Sequence, residues 1–312
     1  MIIYTDDTAI ARNFLWQPVI WQPTAIKHIT DDSNFLAQAL FNLQNIYQAN
    51  IQPIGDWKYL FIVKHAISSH FELLSNLCRQ DKQLPGNMLL IAASGEKFRG
   101  FHNRSWVSIP GNLHLSVFLT PRCKIAHFHV GFTIIAAISV IQALDTVRTL
   151  KGRSWIKWVN DIVIQDSKVG GVITQTQVQD EVVMAAILGI GLNVQQTPHF
   201  ASDIFVPKAG CLWDFTGAGN ACTQTAMFYK LIQYLAKNYN LLVHNKYDQL
   251  REFYLKRSLV IGKVVEIYSD LREGDPVLLS RGKVKAIGQN LELYLQGIKN
   301  PIYQGRLVIP AY

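Results

Sequence analysis

Lys157, Asn160 and Asp161 stand three and four residues apart between two apolar, β-branched runs, in Ser154-Trp-Ile-Lys-Trp-Val-Asn-Asp-Ile-Val-Ile-Gln-Asp-Ser-Lys-Val-Gly-Gly-Val-Ile. A strand interior seldom holds an ammonium, an amide and a carboxylate so close together, because burying each of them is costly unless it has work or a partner. The plain alternative is a strand end followed by an Asn-Asp turn. A second cationic segment, Ser94-Gly-Glu-Lys-Phe-Arg-Gly-Phe-His-Asn-Arg-Ser-Trp106, interleaves Lys97, Arg99, His102 and Arg104 with glycine and aromatic residues and fits neither a helical nor a strand period. It reads as a loop able to fold over an anion: Gly100 permits close approach and arginine forks meet phosphate. A solvated basic loop is the alternative. In Ala185-Ala-Ile-Leu-Gly-Ile-Gly-Leu-Asn-Val, Gly189 and Gly191 leave one strand face bare, so either a ligand or another backbone lies against it. Asn193 closes that run as a polar ligand or as the turn that ends the strand. Ser68, Ser69 and His70 precede a helical pattern, where backbone N–H groups and hydroxyls can receive a carboxylate or ureido-type group, or where Ser69 simply caps.

The elements that must position these residues are legible in part. Tyr59 to Val63 and Met88 to Ala93 read as strands, Phe71 to Leu77 as the start of a helix, and Pro110 onward as a strand returning to the core. Ala126 to Leu150 reads as a long buried helix stopped by Lys151-Gly152; its apolar run is broken by Gln142 and is short for a membrane span. Asp166-Ser167-Lys168 makes a hairpin of 154–165 with 168–176. Helical patterns cover Thr223 to Val243 and Lys246 to Arg257. From Gly262, five short segments (263–268, 277–279, 284–288, 291–295 and 302–308) describe a small β-barrel, with a domain boundary near 258. In residues 1–57, Phe35, Leu36, Ala39, Leu40, Leu43, Ile46 and Tyr47 recur at helical spacing after a cap at Asp32 or Ser33. Trp16-Gln-Pro and Trp21-Gln-Pro read as part of a cap packed on the main domain, with an aromatic docking patch as the alternative.

Composition sets the outer limits. The 312 residues are 49% hydrophobic and 17% charged, an ordinary globular balance with room for about two domains. The net charge of +8 favours anionic partners. Residues 1–57 are acidic, unlike a DNA-binding module, whose affinity comes largely from phosphate neutralisation. Four scattered cysteines, Cys78, Cys123, Cys211 and Cys222, without zinc spacing, and no signal-peptide pattern, lead us to expect a reduced, cytoplasmic protein without a structural metal.

Taken in order, these segments resemble the biotin protein ligases. Lys157-Trp-Val-Asn-Asp161 stands where that family has Lys-Trp-Pro-Asn-Asp. Arg104-Ser-Trp-Val-Ser-Ile-Pro-Gly-Asn-Leu-His-Leu-Ser, Lys168-Val-Gly-Gly-Val-Ile, Leu188-Gly-Ile-Gly-Leu-Asn and Cys211-Leu-Trp-Asp-Phe-Thr-Gly follow at family spacing, and Leu259-Val-Ile-Gly-Lys-Val-Val opens a stretch similar to the SH3-like C-terminal domain. The resemblance runs over about residues 58 to 309. It implies an α+β fold: a mixed β-sheet with helices, the class II synthetase-like biotin/lipoate ligase fold, in 58–257, then a small SH3-like β-barrel in 258–312, with 1–57 an extension of unassigned role. It also implies activation of biotin with ATP and Mg2+ and transfer of the biotinyl group to a lysine of a biotin carboxyl carrier protein, without DNA or membrane, in a homodimer formed through a sheet edge near Ala185 to Val194.

Carried over residue by residue, the resemblance makes Lys157, Arg99 and Arg104 catalytic. It places Ser68, Ser69, Arg99, Gly100, Lys157, Gly171, Gly189 and Gly191 at biotin, and Lys157, Arg104, Trp106, Asn160 and Asn193 at ATP, with Asn193 on the metal side. Trp106 would stack on adenine, and Asp161 is either functional or structural. The chain departs from the family at Ser68-Ser69-His70, which replaces Ser-Thr-Asn, and at Phe98-Arg99-Gly100-Phe101-His102-Asn103, which replaces Gly-Arg-Gly-Arg-x-Gly. A Gln that often precedes that loop is missing near Gly95 or Glu96. A non-catalytic biotin binder and a lipoate or octanoate transferase are the alternative readings; a biotin-sensing repressor fits least.

Overall fold

The computed structural model describes residues 1–29, 33–41, 45–80, 84–100, 104–199, 203–217, 222–269 and 276–310. Its elements run β1 (Ile2–Thr5), α1 (Thr8–Ala11), β2 (Gln22–Ala25), α2 (Asn34–Phe41), β3 (Asn45–Asn50), β4 (Tyr59–Val63), α3 (His70–Arg79), β5 (Met88–Ala92), β6 (Leu113–Leu119) and α4 (Phe128–Asp145). There follow β7 (Ser154–Lys157), β8 (Asp161–Ile164), β9 (Ser167–Gln179), β10 (Val182–Leu192), α5 (Trp213–Thr216), α6 (Gln224–Val243), α7 (Tyr247–Lys256), β11 (Val264–Tyr268), β12 (Leu278–Ile287), β13 (Leu293–Leu295) and β14 (Arg306–Val308).

Ten strands form one mixed sheet, ordered β2-β3-β1-β4-β5-β6-β10-β9-β8-β7. β4 pairs in parallel with β1 and β5. The other neighbours are antiparallel. Residues of 1–57 thus supply three strands of this sheet. Trp16 packs on Phe228 and Tyr229 of α6, with ring centroids 6.4 and 5.3 Å away. The helix expected through Tyr47 ends at Phe41, and Ile46 and Ala49 instead point inward from β3. Over so few residues the two periods coincide, and pairing with β1 and β2 decides. Asp32 and Leu43 lie outside the described residues. The edge expected near Ala185 to Val194 is not one: β10 is flanked by β6 and β9 along its length, and its backbone is committed to both.

Alternation along the strands divides the core in two. One face, with Leu60, Ile62, Leu115, Val117, Ala186 and Leu188, packs against α4, α6 and α7. The other, with Phe61, Val63, Leu90, Phe118, Ala185 and Ile187, is covered by α2 and α3. α4 is apolar on every side because sheet and helices enclose it. By length and composition it would suit a membrane, yet 67% of it is buried in the core. Asn238 of α6 donates to Gln142 Oε1 (2.7 Å) and to Ser139 Oγ (2.8 Å), so the polar interruption in α4 is satisfied. α4 stops at Asp145, short of the expected Leu150; Asp145 Oδ1 accepts from Gly152 N, and Gly152, at φ +76°, turns the chain.

The strand expected over 154–165 is broken into a tight hairpin, β7–β8, with Lys157 opposite Asp161. Its turn is fixed from three sides. Trp158 Nε1 donates to Leu291 O (2.6 Å), Tyr254 Oη to Val159 O (2.8 Å) and Asn160 Nδ2 to Val172 O (2.7 Å). The Trp158–Val159 peptide is cis. At the C-terminus β13-β12-β11-β14 form a separate four-stranded sheet that fits an SH3-like domain. The segments expected at 277–279 and 284–288 are one strand, β12, and no closure into a barrel is seen among the described residues.

Candidate functional site

The face of the sheet that carries α3 is left open beyond the helix start. There the register lines up His114 of β6, Gly191 of β10, Gly171 of β9 and Asp161 of β8 as one rung. The next rung is Ser116, Gly189 and Ile173. Two glycines side by side in neighbouring strands remove the side chains that would fill this place, and an open cleft of about 510 Å³ lies over them. That volume is in the range of small-molecule sites. Phe71, Phe98 and Ile173 supply apolar walls, while Arg99, Arg104, Lys168 and Arg306 supply cations.

Of the residues expected at the site, Arg99, Gly100, Arg104, Trp106, Asn160, Gly171, Gly189, Gly191 and Asn193 line this cleft. Lys157 lines a smaller adjoining recess of about 80 Å³ together with Arg104, Asn160, Tyr303 and Arg306. Its Nζ donates to Phe205 O at 2.6 Å. Burial holds the Lys157 ammonium below its ordinary pKa range, with Asp161 and Asp203 opposing. Ser68 and Ser69 line neither space. Ser69 is the N-cap residue of α3 but its hydroxyl makes no capping hydrogen bond, and Phe71, two residues on, reaches the cleft instead.

The bare glycine face is partly filled from within. A Cβ on Gly191 would stand 2.2 Å from Trp106 Cζ2, and one on Gly189 2.7 Å from Ile173 Cγ1. The indole expected against adenine therefore lies in the notch that Gly191 leaves. Trp106 Nε1 donates to His114 Nδ1 at 3.2 Å, and His114 Nε2 faces Ile109 O at 3.0 Å. An indole can only donate, so the imidazole is neutral and protonated on Nε2. Burial pushes His114 down to about 4, the Ile109 carbonyl opposing, and it does the same to His70, aided by His114. The expected loop is a small hairpin at its base: Trp106 N donates to Phe98 O (2.9 Å) and Gly100 N to Arg104 O (2.7 Å). Phe101, His102 and Asn103, which depart from the family pattern, lie outside the described residues.

Asp161 pairs with Lys168 at 2.7 Å, both about a quarter or less exposed. Asn193 is buried and donates to Gly210 O (3.0 Å), but its Oδ1 has no hydrogen-bond partner among the described residues. An orphaned buried carbonyl costs about 1–3 kcal/mol, so this oxygen suits a donor or a hard cation. Asp203 also lines the cleft: its Oδ1 accepts from the Phe205 and Val206 amides (2.9 and 2.7 Å), and its Oδ2 pairs with Arg306 (2.9 Å). The Arg306 guanidinium also covers the Phe205 ring, 3.4 Å from its centroid. His114 and Lys168 stood inside quoted motifs without a role. Phe71, Asp203 and Arg306 were missed. Nothing local marks Arg306, because it reaches the cleft from the other sheet.

Comparison with known proteins accords with this geometry. Residues 79–193 match the model of the biotin/lipoate A/B protein ligase family. These residues are a domain of that family. The bifunctional ligase/repressor BirA of Bacillus subtilis is 33% identical over 116 residues, 37% of this chain and 35% of its own. The biotin--[acetyl-CoA-carboxylase] ligase of Paracoccus denitrificans is 29% identical over 116 residues, 37% of this chain and 48% of its own. The matched part therefore spans a third to a half of those relatives. The biotin protein ligase of Aquifex aeolicus, solved in complex with biotin and ATP, shares the fold over 80% of this chain and 98% of its own, with a TM-score of 0.61 and 22% identity. The biotin protein ligase fold, with a separate small C-terminal sheet, is thus in place.

Proposed function

We propose that this protein joins the carboxylate of biotin to the α-phosphate of ATP, releasing pyrophosphate, and passes the biotinyl group to a lysine amine of a biotin carrier protein, releasing AMP. The observation that carries the reading is a single cleft whose apolar side, at Phe71, Ile173 and Gly189, is shared with the cations Arg99 and Arg104 and with the Lys168–Asp161 and Arg306–Asp203 ion pairs. A ligand with an uncharged ring system, a carboxylate and a phosphate chain fits such a cleft. The biotin and ATP held by the Aquifex relative support it.

Bringing two anions together is resisted by their mutual repulsion, and fixed cations lower that barrier as charge gathers between them. Lys157 exchanges Phe205 O for the carboxylate and phosphate oxygens. Arg99 and Arg104, on the two limbs of one hairpin, close over the ligand and keep water from the reactive anhydride. Arg306, braced by Asp203 and Phe205, faces the phosphates. Magnesium would supply charge neutralisation on the phosphate chain, and Asn193 Oδ1, without a hydrogen-bond partner among the described residues, is an oxygen suited to hold it. Residues 1–57 carry strands β1 to β3, and we assign them no DNA-binding role.

The test is purified protein with biotin, ATP and magnesium, scored for pyrophosphate exchange and for labelling of a biotin carrier domain. Lys157→Ala should lose both while staying folded. Exchange by neither variant would refute the reading. Because the apolar side would also take an acyl chain, octanoate should be tried as a competitor. Displacement of biotin by octanoate at similar concentration would favour the lipoate side of the family.

A further inference from the structure

The bare face of β10 was expected to receive a ligand, yet at Gly191 it receives the protein's own Trp106. That ring is held from beneath. In its register His114 is the residue directly opposite Gly191 on β6, so the imidazole rises beside the notch in which the indole lies. His114 is 2% exposed and both ring nitrogens are used, one accepting from Trp106 Nε1 and one donating to Ile109 O. The Phe98 ring stands edge-on to it, 5.9 Å between centroids. Phe98 and Trp106 are also the two ends of the Arg99/Arg104 hairpin, joined by the Trp106 N to Phe98 O bond. The hairpin thus rests on the sheet through two rings that both meet His114.

We infer that His114 is the positioning residue of this site: as a neutral imidazole it orients Trp106 in the Gly191 notch and so sets where Arg99 and Arg104 are presented. It touches the ligand side of the cleft only as part of the wall and acts through the indole. The functional part of this inference rests on the proposed ligase reading. The placement of the ring does not.

Two substitutions separate the two bonds of the imidazole. In His114→Asn the side-chain oxygen replaces Nδ1 and keeps the acceptor for Trp106 while losing Ile109. In His114→Gln the amide nitrogen replaces Nε2 and keeps Ile109 while losing Trp106. The readout is the indole N–H resonance of Trp106 on the full chain, assigned by its disappearance in Trp106→Phe, with its rate of exchange with solvent. We expect a slowly exchanging proton in wild type and His114→Asn, and a shifted, fast-exchanging one in His114→Gln. Biotin affinity by calorimetry, and KM for biotin and ATP in pyrophosphate exchange, should weaken about tenfold in His114→Gln, as for loss of one buried hydrogen bond, with kcat less affected. In His114→Asn they should stay within about threefold of wild type. Trp106→Phe should match His114→Gln, and the double variant should lose no more than either alone, since both remove one contact. Equal behaviour of the Asn and Gln variants, an unaltered Trp106 resonance in His114→Gln, or additive losses in the double variant would overturn the inference. If the resonances behave as expected while wild type binds no biotin, the positioning stands and the ligase reading fails.

Discussion

Lowering the pH from 8 to 5 is expected to destabilise the fold mainly through two residues, His70 and His114. Each is buried as a neutral imidazole and pushed down to about 4. In the unfolded chain both titrate near 6.5. Between those values the unfolded state binds more protons, so stability falls as pH falls, and nothing is lost above about pH 7. At pH 5 the unfolded form of each histidine is almost wholly protonated and the folded form is not, which corresponds to about 2 kcal/mol per residue and about 4 kcal/mol for the pair. Within this window the Met1 amine, also held below its ordinary value by burial, adds a loss in the same direction that the histidine variants leave in place. Asp7, Asp203 and Asp214 lie below the ordinary carboxylate value, so their contribution is lost only at lower pH. The depressed Lys157 acts only in the alkaline range. Asp6, raised by burial, works weakly in the opposite direction. Urea unfolding followed by circular dichroism at pH 8 and pH 5 should show the loss as a lower midpoint at constant slope. In the double variant His70→Asn, His114→Asn most of the pH dependence should vanish. An equal loss in the double variant would refute the assignment, because some other group would then be taking up the protons.

Three further outcomes follow from the site. Gly191→Ala puts a methyl group 2.2 Å from a rigid ring atom, so Trp106 must leave its notch; biotin affinity measured by calorimetry should fall at least tenfold, as the His114 bond is lost with it. Lys157→Ala should lower pyrophosphate exchange by about 100-fold or more, as for removal of a preorganised charge, while circular dichroism is unchanged, since the hairpin turn is held by Trp158, Tyr254 and Asn160. Arg306→Lys keeps the charge but loses the planar guanidinium that reaches Asp203 Oδ2 through Nη2 while stacking over Phe205, and should raise KM for ATP several-fold with little change in KM for biotin.

Much of the local structure was legible without coordinates. α4 and α6 announce themselves by long apolar or amphipathic runs, and β4, β5, β6 and β10 by short apolar segments between turn residues. The Lys157 to Asp161 segment was readable both as a place where polar groups are held for a purpose and as a strand end with a turn; the structure has the turn, at Trp158 to Asn160. The extent of α2 was misread because Ile46 and Tyr47 suit either period until β1 and β2 are present. The sequence by itself determined which residues are apolar, where the chain turns, and that cations and glycines recur near Arg99, Lys157 and Gly191. Only the tertiary structure decided that His114, Gly191, Gly171 and Asp161 form one rung, that Trp106 occupies the glycine notch, and that Arg306 crosses from the second sheet to join them. The reason is physical. Cross-strand register and the docking of one sheet on another depend on packing between residues tens to hundreds of positions apart, and no local period or propensity carries that information.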